Sequence, residues 1–105
     1  MKTMVRASLA VLALTLVFSA YTFADAGADF KAKCAACHGA AGAGDTKIGQ
    51  TMKVRDLGSA DVQKQSDDEL TAIVTKGKNK MPAYGGKLSN DQIGDLVKHI
   101  RSLKK

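Results

Sequence analysis

One pentapeptide constrains this chain of 105 residues more than any other part of its sequence. Two alanines separate Cys34 from Cys37, and His38 follows the second cysteine directly. Two thiols at this spacing can bond to the two vinyl-derived carbons of one porphyrin, and the histidine is then held over the iron as a proximal ligand. The pattern therefore predicts a haem c, with its iron, attached at Cys34 and Cys37 and bound by His38.

Other interpretations of the same five residues find less support. A redox-active dithiol favours a βαβ pattern around the two cysteines, and the sequence has no such pattern. A structural zinc site needs four ligands, whereas the chain has no further cysteine and one other histidine, His99. A disulfide between positions this close would close a very small loop and stabilise little. A haem-free dithiol or zinc module is kept as the minor alternative.

The N-terminus has the composition of an export signal. Lys2 and Arg6 are followed by an apolar stretch over residues 9–18, and small residues stand at Ala24 and Ala26. This order of basic, apolar and small residues is typical of a signal peptide. We expect cleavage after Ala24 or Ala26.

Cleavage would divide the chain into a signal peptide, residues 1–24, and one domain, residues 25–105, located in the periplasm. The alternative is an uncleaved membrane anchor, because residues 7–24 carry no charge and reach the lower limit for a spanning helix. Four Ser and Thr residues in that run favour the signal peptide. The domain is short for a self-sufficient core, and a haem would add apolar surface.

Capping signals and hydrophobic periodicity in the domain predict helices and no strands. A first helix is expected over residues 25–33 and a weaker turn of helix over residues 59–63. Ser66 and Ser89 each begin a capping box followed by helical periodicity. The last helix should bury one stripe, formed by Ile93, Leu96, Val97, Ile100 and Leu103. We therefore expect an all-α fold of three to five short helices around the haem.

The second axial position of the iron has few candidate ligands, namely Met81, Met52, His99 and the lysines. Met81 lies in a Gly- and Pro-containing segment between the last two predicted helices, so a loop can present its sulfur. Met52 precedes Val54 closely and is interpreted as a core or haem-packing side chain. His99 lies at the margin of the last apolar stripe, where it can pack beside Phe30. The sequence favours Met81.

Taken in order, these motifs resemble those of small bacterial class I (mitochondrial-type) monohaem cytochromes c, over essentially all of residues 25–105. The resemblance rests on Phe30, residues 34–39, 54–57 and 77–84, and the closing helix through residues 100–103. It implies that His38 is the proximal ligand, that Met81 is the distal ligand, and that the first and last helices cross near the haem edge. It also implies a contact between Arg55 and a haem propionate.

The chain departs from that family at three places. His99 stands where the last helix usually has an aromatic residue. Many members have a Gly-Pro-x-Leu run whose Pro carbonyl accepts the proximal histidine N–H. Residues 49–52 stand in its place here, and we expect the Gln50 carbonyl to accept this N–H instead. The same match puts Met52 at an apolar haem-packing position. Ala26 stands where the family prefers glycine.

The expected ligands indicate the function. An iron bound by both His38 and Met81 has no open position, so we expect a soluble envelope electron carrier and not an enzyme. A haem-based peroxidase or gas sensor with a labile Met81 is the alternative. The sequence offers no obvious acid–base residue near Met81 to support it.

The charge of the chain bears on its partners. The formal net charge is +6, and four lysines bracket Met81, namely Lys76, Lys78, Lys80 and Lys87. We expect redox partners with acidic docking patches, although an ordinary solvated lysine face is the alternative. Nucleic acid is a poor partner for an exported chain without an aromatic–basic platform. We expect a monomer that is not inserted in a membrane once its signal is cleaved.

Overall fold

The computed structural model describes residues 23–105. The expected signal peptide and the alternative anchor therefore lie almost entirely outside the described residues. The helices of the described part are α1 (Phe23–Lys33), α2 (Ala35–His38), α3 (Lys47–Met52), α4 (Ala60–Gln63), α5 (Asp67–Lys76) and α6 (Asn90–Ser102). Residues 23–105 contain no strand, and none of their helices is long and apolar enough to cross a membrane. The all-α prediction is confirmed.

Residues 23–105 contain one helix more than the upper number expected, because α2 and α3 were not predicted. α2 has four residues, too few to display a hydrophobic period. α3 contains Gly49 and Thr51, which are weak helix formers. The hydroxyl of Thr46 caps α3 by accepting the Gly49 N–H at 2.9 Å, and Lys53 ends the helix with φ 56°.

Serine caps begin the two long helices of the C-terminal half, as predicted. At Ser89 the capping box is complete, since Ser89 Oγ accepts the Gln92 N–H at 3.1 Å and Gln92 Oε1 accepts the Ser89 N–H at 2.8 Å. At Ser66 the hydroxyl accepts the Glu69 N–H at 3.1 Å, but the Glu69 side chain makes no return bond to the Ser66 N–H, so the predicted capping box is only half formed. These bonds satisfy N–H groups that the helices cannot satisfy themselves.

The predicted stripe of α6 lies between two groups of buried side chains. The first, here called the motif cluster, consists of Phe30, Val74, Leu88, Ile93 and Leu96. The second consists of Val62, Leu70, Val97 and Ile100. Leu103, the fifth residue of the stripe, is half-buried against the motif cluster.

α1 makes its main helix contact with α6, as the resemblance implied. Ala26 and Phe30 of α1 are fully or almost fully buried. The ring of His99 lies against that of Phe30, with centroids 4.8 Å apart and planes tilted by 42°. This crossing fixes the C-terminal end of α1, from which the haem motif begins.

Candidate haem site

The haem motif is a short helical continuation of α1. The Cys34 N–H donates to the Phe30 carbonyl at 2.8 Å, and the His38 N–H donates to the Cys34 carbonyl at 2.9 Å. Because residues three apart on a helical turn share a side, Cys34 and Cys37 lie on the same side of α2. Both thiols are free and half-buried.

The following loop holds the two carbonyl groups that end the motif. The Gly44 N–H donates to the His38 carbonyl at 2.7 Å, and Thr46 Oγ1 donates to the Cys37 carbonyl at 3.0 Å. Gly49 of α3 packs so closely on the Cys37 carbonyl that a Cβ would collide with it. The loop and α3 therefore fix the orientation of α2.

His38 has the protonation state that a metal ligand needs. Burial lowers the pKa of His38, so the neutral imidazole is favoured near neutral pH. Its Nδ1 atom is buried and forms no hydrogen bond with another described residue. A neutral imidazole beside two thiols on one helical turn fits a covalently attached haem.

The expected bond from His38 to the Gln50 carbonyl is absent from residues 23–105. Gln50 lies within α3, and its carbonyl accepts the Lys53 N–H at 3.2 Å. Because a carbonyl oxygen can accept a second hydrogen bond, a bond from His38 to Gln50 in the haem-loaded protein remains a prediction.

Met81 lies in a tight turn between α5 and α6. Lys78 and Met81 exchange two backbone hydrogen bonds, of 3.2 and 2.9 Å, and Asn79 between them has φ 54°. Asn adopts this left-handed conformation more readily than most residues. Met81 is half-buried against the motif cluster, as Cys34 is. The fold thus brings the methionine loop and the haem motif to one cluster.

The other predicted residues lie elsewhere. Met52 is 42% exposed on α3, so its interpretation as a core side chain is wrong, whereas haem packing remains a prediction. His99 packs on Phe30 at the α1–α6 crossing, as predicted. Arg55 is exposed and forms no hydrogen bond or ion pair with the described part of the chain.

Tyr84 and Lys33 belong to the same region, although no role was predicted for either of them. Tyr84 packs on the motif cluster, and its hydroxyl donates to the Lys33 carbonyl at 3.2 Å. Lys87 Nζ lies 5.6 Å from the Tyr84 ring centroid. The position of Tyr84, an aromatic residue three positions after Met81, was the sequence signal that could have placed it at the site.

Cys34 does not have the character of a reactive thiol. Burial, reinforced by the Asp29 carboxylate, raises the pKa of Cys34, whereas reactive cysteines have a lowered pKa. Within residues 23–105 no group of three or more His, Cys, Asp or Glu side chains is placed to hold a metal ion. A four-ligand zinc site therefore has too few side chains there.

Comparisons with known proteins show which family the chain resembles. Residues 22–100 match the family described as "Cytochrome C oxidase, cbb3-type, subunit III". The chain is 39% identical over 71 residues to cytochrome c6 of Leptolyngbya boryana, covering 68% of this chain and 80% of that protein. It is 36% identical over 109 residues to cytochrome c6 of Picosynechococcus, covering 95% and 92%.

A solved structure, "KustC0563 c-type cytochrome", superposes with a TM-score of 0.71 and 27% sequence identity, covering 76% of this chain and 98% of that one. The matched structure agrees with the all-α fold of residues 23–105. The chain therefore belongs to the small monohaem class I cytochromes c, electron-transfer proteins that carry one covalently bound haem c.

Proposed function

We propose that Cys34 and Cys37 form the two thioether bonds to the haem, that His38 and Met81 are the axial iron ligands, and that the protein carries electrons between partners in the cell envelope. The single observation that supports this most is the packing of Cys34 and Met81 against one cluster. Two segments 47 positions apart in the chain thereby meet at one site.

The ligand set determines the chemistry. When bound, the haem supplies a one-electron Fe(III)/Fe(II) couple. His38 and Met81 would together hold the iron, so no coordination site would be left for a substrate. The neutral thioether of Met81 favours Fe(II) and raises the reduction potential. These properties suit a carrier and not an enzyme.

Arg55 is proposed to contact a haem propionate. Its guanidinium is exposed and is not engaged by a described residue. Arginine pairs with a carboxylate through two parallel hydrogen bonds, which gives a stronger contact than a single-point charge. Arg55 therefore has the chemistry needed for a propionate.

Docking is proposed to use the basic surface around Met81. Lys76, Lys78, Lys80 and Lys87 are all exposed. A positive surface steers an acidic patch of a partner into an encounter that salt weakens. Such association is fast and short-lived, as a carrier with two partners requires.

Export is proposed to use residues 1–24, with cleavage after Ala24 and a mature protein in the periplasm. Ala26 has an exposed fraction of 0% within α1. Cleavage after Ala26 would remove this buried side chain from the helix that packs on α6. The packing thus favours the earlier of the two cleavage positions.

The ligation is tested with protein matured in a host that attaches haem c. The oxidised protein should show the weak long-wavelength absorption band that reports a sulfur–iron bond. We expect Met81→Ala to lose this band and Met52→Ala, the matched control, to keep it. A band that survives in Met81→Ala would reject Met81 as the ligand.

A further inference from the structure

The turn that carries Met81 is held in shape by its own bonds. The two backbone hydrogen bonds between Lys78 and Met81 close the turn, and Asn79 supplies the left-handed residue. Pro82 and Ala83, which follow, are exposed. These features define the turn, and separate contacts must fix its position relative to the haem motif.

Tyr84 fixes the position of the turn through hydrogen bonds to two helices, α5 and α1. Its backbone N–H donates to the Val74 carbonyl of α5 at 3.0 Å. Its hydroxyl donates to the Lys33 carbonyl at 3.2 Å, across 51 positions of the chain. Lys33 ends α1 and directly precedes Cys34. One side chain therefore joins the methionine loop to the first residue before the haem motif.

The ring of Tyr84 and its hydroxyl have separate tasks. The ring packs on the motif cluster beside Met81 and Cys34, which phenylalanine would do equally well. The hydroxyl alone makes the bond to Lys33. Removing the oxygen therefore tests the link between the two segments without changing the packing.

We propose that Tyr84 is a positioning residue that keeps the Met81 sulfur on the iron, through its hydroxyl bond to the Lys33 carbonyl. The proposal rests on the proposed ligation by Met81. A ligand on a loop leaves the metal when the loop opens, and one exposed hydrogen bond resists opening by about two- to tenfold in the equilibrium constant. Tyr84 would thus set how completely the distal face stays closed.

The test compares Tyr84→Phe with Ser66→Ala in the haem-loaded protein. Ser66 Oγ also makes one exposed hydrogen bond, at 3.1 Å, at the start of α5. Because α5 has ten residues, this bond lies about 15 Å from the end of α5 that leads into the methionine turn. Ser66→Ala therefore controls for a general loss of stability.

Two quantities are measured in the oxidised wild type and in both variants. One is the pH at which the sulfur–iron band is lost, and the other is the apparent affinity for added imidazole, which binds when Met81 leaves. Tyr84→Phe should lower that pH and raise the imidazole affinity by about two- to tenfold. Ser66→Ala should leave both at the wild-type values.

The outcomes separate this proposal from the ligation on which it rests. If the wild type shows the band and Tyr84→Phe behaves like the wild type, the hydroxyl does not position Met81, whereas the ligation stands. An equal change in Ser66→Ala would likewise overturn the positioning role, since the effect would then be one of general stability. A wild type without the band would overturn both.

Discussion

At the scale of single residues, the haem motif is held by donors that lie outside it. The Cys37 and His38 carbonyl groups receive bonds from Thr46 and Gly44, six to nine positions later. The sequence predicts the two cysteines and the histidine as haem-binding residues because haem chemistry dictates their spacing. Their donors were not, since a Gly/Ala loop has no period that reveals which N–H or hydroxyl turns inward.

Lys53 is strained by its backbone conformation. It ends α3 with φ 56°, in the left-handed region that costs a residue with a Cβ about 1–2 kcal/mol. We predict that Lys53→Gly stabilises the protein by roughly 0.5–1 kcal/mol, since the greater freedom of glycine in the unfolded chain offsets part of the gain. Denaturant unfolding of the haem-loaded protein measures the change.

Lys64→Gly is the matched control for that substitution. Lys64 also follows a short helix, α4, but its φ is −76°, which any residue adopts without strain. Only the entropic cost of glycine applies there, so this variant should be less stable than the wild type. Stabilisation by both substitutions, or by neither, would contradict the assignment of strain to Lys53.

At the scale of helices, α6 organises the packing. Ile93 and Leu96 belong to the motif cluster, whereas Val97 and Ile100 belong to the second group of buried side chains. The period of apolar residues predicted this stripe because α6 is long enough to repeat it. α3 was not predicted because its six residues, which include a glycine, are too few to repeat an apolar period.

Arg101 ties the end of α6 to the segment between α4 and α5. Its Nη1 donates to the Gln63 carbonyl at 2.8 Å, its Nη2 to the Gln65 carbonyl at 2.5 Å, and its Nε to Asp67 Oδ1 at 3.0 Å. We predict that Arg101→Ala lowers the free energy of unfolding by about 1–3 kcal/mol, because two backbone carbonyls lose a charged donor. Denaturant titration provides the value.

Lys98→Ala serves as the control on the same helix. The Lys98 side chain is 74% exposed, and its ion pair with Asp95 spans 3.7 Å. An ion pair this long, with its lysine in solvent, contributes little, so the control should stay within about 0.5 kcal/mol of the wild type. Equal losses in the two variants would refute a structural role specific to Arg101.

The α1–α6 crossing should weaken in acid because it contains His99. Burial lowers the pKa of His99, so the folded state binds the proton less tightly than the unfolded state, whose pKa is near 6.5. The contribution of the neutral ring is complete above about pH 6.5 and is lost as the pH falls from there toward the folded-state pKa.

Replacing the His99 imidazole with a ring that does not titrate tests whether His99 causes the loss of stability in acid. We predict that His99→Phe keeps the contact with Phe30 and loses less stability than the wild type between about pH 7 and pH 5. Unfolding of both haem-loaded proteins at several pH values in this range gives the comparison. A pH dependence unchanged by the substitution would show that another group causes the loss.

At the scale of the whole molecule, the protein's own core is small. Among the described residues, Phe30 and Ile93 are the large side chains that are fully buried, whereas Ile48 and Met52 on α3 stay 48% and 42% exposed. A haem beside α2 would add a large rigid apolar body to such a core. The length of the domain and its scarcity of aromatic residues had predicted that its core needs additional apolar surface.

The same scale shows which parts of the site were predictable. Met81 could be proposed as a ligand because Gly77 and Pro82 break regular helix around it, so a loop can present its sulfur. The link from Tyr84 to Lys33 joins residues 51 positions apart. Such a contact follows from how α1, α5 and α6 pack, and no local pattern carries that information.

The most direct test of a closed iron site is to add carbon monoxide to the reduced wild-type protein near neutral pH and to record the visible spectrum. With His38 and Met81 on the two faces of the haem, the visible spectrum should remain that of the six-coordinate reduced protein. Formation of the carbon monoxide complex in proportion to the protein would contradict this, and would instead indicate the open or labile distal face of a haem enzyme or gas sensor.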